Sequence, residues 1–331
     1  MSSRSSSEAR RLLRAAVREL RKFAYESPIR VAPADEPVGR PRLGVAPADE
    51  HIRRPRVGVA LGGGFARGLA HIGVLKVLVE NQISIDALAG TSIGSIVAAG
   101  FASGCTIDQM VAVARQTRWN SFARWTFPRL GFATNERLEP FLLKALPCRT
   151  FEQLKLPLAI VATDINTGEA VIFRKGDLML PLRASCSFPG LFVPIEYAGR
   201  LLLDGAIVNN LPVSALPDVD LVVAVRIRSN GLGRKPANLF EVVGESFRIA
   251  QSLNQVSWRD HCDLAIEPET GEFRWDDFGR AAELITAGEK AAREALPALR
   301  RLLRERIAEV TKATPGKVGT SVQSVQSQVF P

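Results

Sequence analysis

The chain has 331 residues, of which 46% are hydrophobic, and a formal charge of +9 at pH 7. A chain of this length and hydrophobic content can form one large α/β domain with appendages. No run of about 18 apolar residues is free of charges or helix breakers, so we expect no transmembrane helix. The amino terminus lacks the pattern of a secretory signal, and the sequence therefore predicts a cytoplasmic protein.

The four cysteines are scattered through the chain. None lies in a C-x-x-C pair or at the Cys/His spacing of a zinc site, which argues against a structural metal and against a disulfide framework. We therefore expect reduced thiols, no metal and no cofactor. The positive charge suits an anionic partner such as a membrane lipid. No recognised nucleic-acid-binding module accompanies the charge, so nucleic acid is not expected as a partner.

Much of the positive charge lies before residue 57. Within residues 1–30, residues 8–24 combine apolar side chains at helical spacing with basic side chains on the other faces, which predicts a basic amphipathic helix. This helix could bind an anionic membrane surface and make the protein peripheral on the inner membrane face; alternatively it could dock on the protein itself, on a second subunit, or serve as a transit peptide. Residues 31–44 recur as residues 45–58, and we interpret residues 31–56 as a duplicated linker rich in proline and charge.

The globular domain is predicted to span residues 57–312 and to begin with a strand at Val57–Leu61. A glycine-rich loop over residues 62–68 follows, and residues 69–80 have an apolar helical pattern. Such a loop can bring backbone N–H groups close to an anion. Arg67 occupies the place where a dinucleotide motif needs its last glycine, and the G-K-[ST] of a P-loop is missing. The third interpretation of the loop is an oxyanion hole.

The next loop contains the sequence Gly90-Thr91-Ser92-Ile93-Gly94. It lies between a strand predicted over residues 83–89 and a helical pattern, which is the context of a G-x-S-x-G nucleophile elbow. An ordinary tight turn would also accept these small residues. Both loops leave the carboxyl ends of neighbouring parallel strands, where ligands of open α/β sheets bind. The serine and the anion-binding loop should therefore meet, which favours an acyl-transfer site.

The remaining pattern predicts a hairpin of two strands, three short strands, two helices and a tail. Residues 119–132 are rich in aromatic and basic residues, which could line an acyl or membrane-facing groove but are more often buried by packing. The hairpin is predicted at 158–162 and Ala170–Phe173, the short strands at 201–203, Leu221–Val225 and Leu264–Ile266, the helices at 240–255 and 283–310, and a disordered tail at 313–331.

Ser92 needs a positioned base. Of the three histidines, His51 lies in the linker, and His71, on the helix after the glycine loop, is expected to serve packing or capping. His261 follows Ser92 and Asp204 in the chain order of an α/β-hydrolase triad, so a Ser92/Asp204/His261 triad is one alternative. In that fold several strands precede the elbow, whereas only one predicted strand does here. A Ser-Asp pair with Asp204 as the base is the other alternative.

These motifs, in this order, resemble the patatin-like phospholipases, and most closely the bacterial branch related to neuropathy target esterase. The resemblance spans about residues 56–293. It rests on the glycine loop at 62–68, on Gly90-Thr91-Ser92-Ile93-Gly94 and on Asp204-Gly205-Ala206, with further matches at Ala70-His71-Ile72-Gly73-Val74-Leu75, Ala162-Thr163-Asp164, Arg183-Ala184-Ser185, Phe188-Pro189-Gly190 and Asn209-Asn210-Leu211-Pro212.

The resemblance implies a three-layer α/β/α sandwich with a mostly parallel central sheet. It implies a catalytic dyad in which Ser92 is the nucleophile and Asp204 the base. It also implies an oxyanion hole in the loop that begins at Gly62, formed from Gly62, Gly63, Gly64 and Phe65. Many relatives have a further glycine where this chain has Phe65. Residues expected to support the site are Arg67, Gly68, Gly90, Gly94, Gly205 and Asn210.

The sequence thus predicts a serine esterase of the phospholipase A or lysophospholipase type, which acts on lipid acyl esters through an acyl-serine intermediate. Arg67 is expected to anchor the glycine loop or to neutralise a phosphate. The alternative from a different class is a non-enzymatic membrane-surface or regulatory protein that keeps the scaffold. Intact Ser92 and Asp204 argue against that alternative.

Overall fold

The structure, a computed structural model, describes residues 54–125, 133–228, 235–236, 239–253 and 256–313. The predicted amphipathic helix, nearly all of the linker and the tail lie outside these residues, so the membrane contact of residues 8–24 stays a prediction. None of the helices in the described part of the chain is both long and apolar enough to cross a membrane.

The strands and helices alternate in the first part of the domain and become shorter and more irregular after residue 116. The strands are β1 (Val57–Leu61), β2 (Ala87–Thr91), β3 (Arg124–Trp125), β4 (Ala133–Thr134), β5 (Leu158–Asp164), β6 (Ala170–Phe173), β7 (Ile195–Tyr197), β8 (Arg200–Asp204), β9 (Leu221–Val225) and β10 (Leu264–Ile266). The α-helices are α1 (Ala70–Glu80), α2 (Ile93–Ala102), α3 (Ile107–Gln116), α4 (Leu138–Ala145), α5 (Met179–Ser185), α6 (Leu239–Leu253), α7 (Val256–Arg259) and α8 (Ala281–Ala313).

Within the described residues, eight strands form one mixed sheet in the order β10-β9-β1-β2-β5-β8-β7, with β6 paired to β5. The strands from β10 to β5 run parallel, while β6, β7 and β8 are antiparallel additions at one side. The remaining strands, β3 and β4, pair with each other away from this sheet. The predicted α/β class with a mostly parallel central sheet is confirmed.

Both faces of the sheet are buried, as expected for parallel strands with helical crossovers. Successive residues of a strand point to opposite faces. In β1, Val59 and Leu61 belong to the main core, to which α1, α2 and α8 also contribute. Ala60 points to the other face, where Leu211 and the Trp258 side chain of α7 cover it. Helical elements therefore lie on both sides of the sheet, which gives the three layers.

The long helix α8 packs so closely against α1 that the backbones of the two helices are in contact. A Cβ atom on Gly73 of α1 would lie 1.9 Å from the carbonyl oxygen of Ile285, and one on Gly288 of α8 would lie 1.9 Å from the carbonyl oxygen of Ala70. No side chain fits in either place, because nonbonded carbon and oxygen atoms need more than 3 Å. The two glycines thus allow α8 to hold α1 directly by its backbone.

The predicted strand at 83–89 differs from the observed β2, which begins at Ala87. Ile83 still belongs to the turn after α1, since its N–H donates to the Leu78 carbonyl. Ile85 is buried without strand pairing. The pairing of β2 with β1 starts only at Ala87, opposite Gly58. The apolar pattern of residues 83–89 reflects burial as well as strand formation. The strand itself begins only at Ala87, where β1 provides a pairing partner.

Candidate active site

Ser92 lies at the sharp turn between β2 and α2. Its backbone has φ 54° and ψ −129°, a left-handed conformation that is uncommon for a residue with a side chain. The Ser95 N–H and hydroxyl both donate to the Ser92 carbonyl, at 2.9 and 2.6 Å, and hold the turn. Backbone strain of this kind is found at functional sites, where the surroundings impose it. The geometry is that of the nucleophile elbow predicted from the G-x-S-x-G sequence.

The glycines of the elbow are needed because backbone segments approach one another there. A Cβ atom on Gly94 would lie 2.3 Å from the Leu61 carbonyl oxygen, and one on Gly90 would lie 2.4 Å from the Ser95 Cα. Gly68 and Gly205 are held in similarly close contacts with Ile93 and Val161. The structure therefore brings all four predicted supporting glycines to the turn.

The pairing register of the sheet places Asp204 next to Ser92. Thr91, the residue before Ser92, pairs with Val161 of β5, and Asp204 pairs with the following residue, Ala162. The Ser92 hydroxyl donates to Asp204 Oδ2 at 2.7 Å, and the Ala206 N–H donates to Oδ1 at 2.9 Å. Ser92 is 8% exposed and Asp204 is 2% exposed. The two predicted catalytic residues thus form one buried hydrogen-bonded pair.

Burial raises the pKa of Asp204 from 3.8 to about 7, because the ionised carboxylate loses its solvation. The hydrogen bonds from Ala206 and Ser92 favour the ionised form and oppose this rise in pKa. A carboxylate with a pKa near 7 accepts a proton far more readily than an exposed one. Asp204 therefore has the proton affinity usually found in a general base that operates at neutral pH.

Ser185, at the end of α5, holds the backbone of Ser92. Its hydroxyl oxygen accepts the Ser92 N–H at 2.8 Å and its hydroxyl proton is donated to the Val161 carbonyl at 2.7 Å. The side chain is fully buried. Ser185 belongs to a motif that contributed to the family resemblance, but sequence reasoning assigned it no role. An Ala-Ser pair at the end of a short helix carries no signal that it will meet a strand-helix turn elsewhere.

The glycine loop follows β1 and lies beside the elbow. The N–H of Gly62 donates to Val225 and that of Gly63 to Asn210, both at 3.1 Å. Neither Gly64 nor Phe65 has a backbone acceptor for its N–H among the described residues. Of the four predicted oxyanion-hole residues, Gly62 and Gly63 are thus already engaged, and Gly64 and Phe65 have N–H groups available for a ligand.

Phe65 adopts φ 52°, again a left-handed conformation with a side chain present. Its ring packs edge-on against Phe188 and Trp275, with ring centroids 4.9 and 5.3 Å apart. The Trp275 carbonyl accepts the next N–H of the loop, from Ala66, at 3.0 Å. These contacts hold Phe65 in its strained backbone conformation.

Two polar residues, His71 and Asn210, hold the glycine loop. Fully buried His71 lies with Nε2 2.7 Å from the Gly62 carbonyl oxygen, and burial lowers its pKa to about 4. The imidazole is therefore neutral at pH 7 and donates to Gly62. Asn210 accepts the Gly63 N–H through its backbone, and its side-chain oxygen lies near Gly63. The packing role expected of His71 is confirmed, and it also has a specific hydrogen bond.

His261 lies at the opposite edge of the sheet from Ser92. Two residues after it, the Asp263 N–H donates to the Val222 carbonyl near the start of β9. Ser92 follows the carboxyl end of β2, which runs parallel to β9 through β1. The structure therefore does not bring His261 to Ser92 and Asp204, as the alternative triad would require. His51 lies outside the described residues.

Arg67 is mostly buried beside the glycine loop. Burial lowers the pKa of its guanidinium, and the negative charge of Glu245 on α6 raises it. Glu245 also accepts from Arg248 Nε at 2.9 Å. Arg67 thus takes part in a charged cluster with α6, in keeping with the predicted anchoring role.

Ser92 and Phe65 line two cavities at once. The first has about 1050 Å³ of empty space, part of it open to solvent, and is lined almost wholly by apolar side chains of α2, α3 and α4. The second has about 1700 Å³ of empty space, also partly open to solvent, and contains Asp204, Arg67 and the charged residues of α6. Ser92 thus lies where an apolar space meets a polar one. Among the described residues, no group of three or more His, Cys, Asp or Glu side chains is arranged to hold a metal ion.

Residues 59–217 match the sequence profile of a family described as Patatin-like phospholipase. The chain carries a patatin-like phospholipase domain. This confirms the resemblance drawn from the motifs. The matched part begins within β1 and ends before β9, so it includes the glycine loop, the elbow and Asp204.

The curated relatives include an uncharacterized NTE family protein of Mycobacterium tuberculosis, 36% identical over 54% of this chain and 50% of its own length. Lysophospholipase NTE1 of Pyricularia oryzae is 28% identical over 72% of this chain and 18% of its own length. A solved structure, VipD from Legionella pneumophila, aligns with TM-score 0.44 and 14% identity over 76% of this chain and 67% of its own. The chain spans at most about half the length of these curated relatives.

Proposed function

We propose that this patatin-like protein hydrolyses carboxylic esters of lipids, with Ser92 as nucleophile and Asp204 as general base. The observation that carries the proposal is the buried 2.7 Å hydrogen bond from Ser92 Oγ to a carboxylate whose pKa is about 7. Nucleophilic catalysis by serine needs a base within hydrogen-bonding distance and of matched pKa. The predicted catalytic domain, residues 57–312, contains both groups.

In the first half-reaction Ser92 Oγ attacks the ester carbonyl carbon while Asp204 takes the hydroxyl proton. The carbonyl oxygen becomes an oxyanion, to which the N–H groups of Gly64 and Phe65 are proposed to donate. The positive end of α2, which begins directly after Ser92, adds a favourable field. Collapse of this intermediate breaks the ester C–O bond, and Asp204 returns the proton to the leaving alcohol. An acyl-serine remains.

In the second half-reaction water attacks the acyl-serine and gives a proton to Asp204. Collapse releases the fatty acid, and Ser92 Oγ regains its proton from Asp204. Atoms and charges balance over the cycle, in which one ester and one water give one acid and one alcohol. No step needs a metal or a cofactor.

The two cavities support a lipid rather than a small polar ester as the substrate. The apolar cavity suits a hydrocarbon chain, which gains about 0.8 kcal/mol for each buried CH₂. The polar cavity suits a headgroup beside Arg67 and Glu245. The name of the lysophospholipase relative supports phospholipids or lysophospholipids as the ester class.

The test is hydrolysis of nitrophenyl butyrate and of lysophosphatidylcholine by the full chain. We expect loss of more than a thousandfold in kcat with Ser92→Ala and with Asp204→Asn, and less than a twofold change with the control His261→Ala. Each variant is checked for folding by circular dichroism. A folded wild type without activity would refute the proposal and favour a non-enzymatic membrane-surface protein; a loss with His261→Ala would refute the dyad.

A further inference from the structure

The apolar cavity extends from Ser92 along one side of α2. The residues of α2 that line it are spaced three and four apart, so they form a single stripe on the helix: Ile93, Ile96, Val97 and Gly100. Met110 of α3 and Leu142 of α4 line the cavity from the facing helices. None of the described residues that line this cavity is charged.

Gly100 is the last residue of α2 that lines the cavity. A Cβ atom built there would lie 3.5 Å from Met110 Cε and 3.9 Å from Leu146 Cδ2, so these side chains face the glycine across the end of the cavity. Next to them, the Cys105 thiol donates to the Ala145 carbonyl at 3.7 Å and joins the turn after α2 to the end of α4. Gly100, Met110 and Leu146 thus border the cavity at this end of α2, and we call these three residues its floor.

The depth of the cavity follows from the helix that forms its wall. Gly100 is eight residues after Ser92 in the chain, which corresponds to about 12 Å along an α-helix that rises 1.5 Å per residue. An extended covalent chain advances about 1.2 Å per bond. A straight acyl chain attached at Ser92 would thus reach the floor after about ten carbons.

We propose that Gly100, together with Met110 and Leu146, limits the length of the acyl chain, so that the preferred substrates carry saturated chains of about ten carbons. This rests on the proposed function, in which Ser92 receives the acyl group. Each further methylene up to the floor should raise affinity about fourfold, which corresponds to its burial from water. Beyond the floor, longer chains gain nothing or must bend.

The cavity floor is tested with esters and with free acids. The full chain hydrolyses nitrophenyl esters of four to sixteen carbons, and saturated fatty acids of the same lengths are titrated by calorimetry. For the wild type, kcat/KM and affinity should rise up to about ten carbons and then level off. We compare kcat/KM for the ten-carbon ester with kcat/KM for the four-carbon ester as a ratio. Gly100→Leu should lower this ratio at least tenfold, and Gly100→Ala should lower it less. The first carbon of an added side chain is at ordinary contact distance, so Gly100→Ala should fold.

Leu146→Ala should move the optimum to longer chains, because it removes part of the floor. The matched control is Leu299→Ala on α8, which empties an equally buried site that does not line the cavity and should leave the chain-length profile unchanged. If Gly100→Leu fails to fold, the chain length that Leu146→Ala prefers decides whether the proposal holds. A parallel loss on all chain lengths with Gly100→Leu, or an unchanged optimum with Leu146→Ala, would overturn the proposal. If no ester is hydrolysed but fatty-acid affinity still levels off at about ten carbons and shifts with the variants, the proposed function fails and the floor stands.

Discussion

Replacing Asp204 with asparagine should stabilise the folded chain while it removes hydrolysis. The buried carboxylate has a pKa of about 7 in the folded state and about 3.8 when the chain is unfolded. Roughly 1.4 kcal/mol accompanies each tenfold change in proton affinity, so the ionised group costs the fold about 4 kcal/mol at pH 8. Asparagine keeps the size and an oxygen for the Ala206 N–H, and it carries no charge.

The gain from Asp204→Asn should depend on pH. Between about pH 4 and pH 7 the unfolded Asp204 is ionised while the folded one binds a proton, so this group makes stability fall as pH rises. His71, with a folded pKa of about 4, acts in the opposite direction between pH 4 and 6.5. Its contribution is common to both proteins and cancels in the difference between them.

Urea unfolding of wild type and variant at pH 4.5, 6, 7 and 8 measures this difference. The variant should be more stable than wild type by about 1 kcal/mol at pH 4.5 and by about 4 kcal/mol at pH 8. Asp86→Asn is the control, and it should lower stability as pH rises instead of raising it. Arg54 and the Val57 N–H favour the ionised form of Asp86 and lower the pKa of its carboxyl group. A difference between wild type and Asp204→Asn that does not change with pH would refute the raised pKa.

Two further predictions concern the rate. If Asp204 must be ionised to act as base, kcat/KM of the wild type should rise with pH, reach half its maximum near pH 7 and then stay level; a half-maximum near pH 4 would contradict this. Ser185→Ala leaves the buried Ser92 N–H without its acceptor, so it should cost about 1–3 kcal/mol of stability and lower kcat at least tenfold. Exposed Ser246→Ala is the control, and equal kcat values in Ser185→Ala and wild type would show that the hydrogen bond does not position the nucleophile.

The positions of Ser92 and Asp204 could be predicted because they depend on local rules. A strand-to-helix turn needs small residues on both sides of its serine, and an aspartate followed by glycine ends a strand. Parallel strands then bring their carboxyl ends to one edge of the sheet. The strands β1, β6, β9 and β10 have the predicted bounds for a similar reason, since each is a short apolar or β-branched run between turn signals.

Other features depend on partners far away in the sequence. The carbonyls of Val225 and Asn210 accept the N–H groups of Gly62 and Gly63. These distant partners therefore decide which N–H groups of the glycine loop are left to bind a ligand. The acceptor for the Ser92 N–H comes from Ser185, more than ninety residues later in the chain. The floor at Gly100 exists only because α3 and α4 pack across α2. Sequence periodicity gives the apolar face of each helix but not the space left between three of them.

The close contacts of Gly73 with Ile285 and of Gly288 with Ala70 make the glycine loop depend on the late helix α8. Helix α1 carries His71, which holds the Gly62 carbonyl, and α8 holds α1. During synthesis the chain emerges from its amino terminus, so the elbow and Asp204 leave the ribosome well before α8 does. The glycine loop can then gain its full support only after α8 docks. A chain truncated before α8 would keep Ser92 and Asp204 but would lack the helix that holds α1 and, through His71, the Gly62 carbonyl.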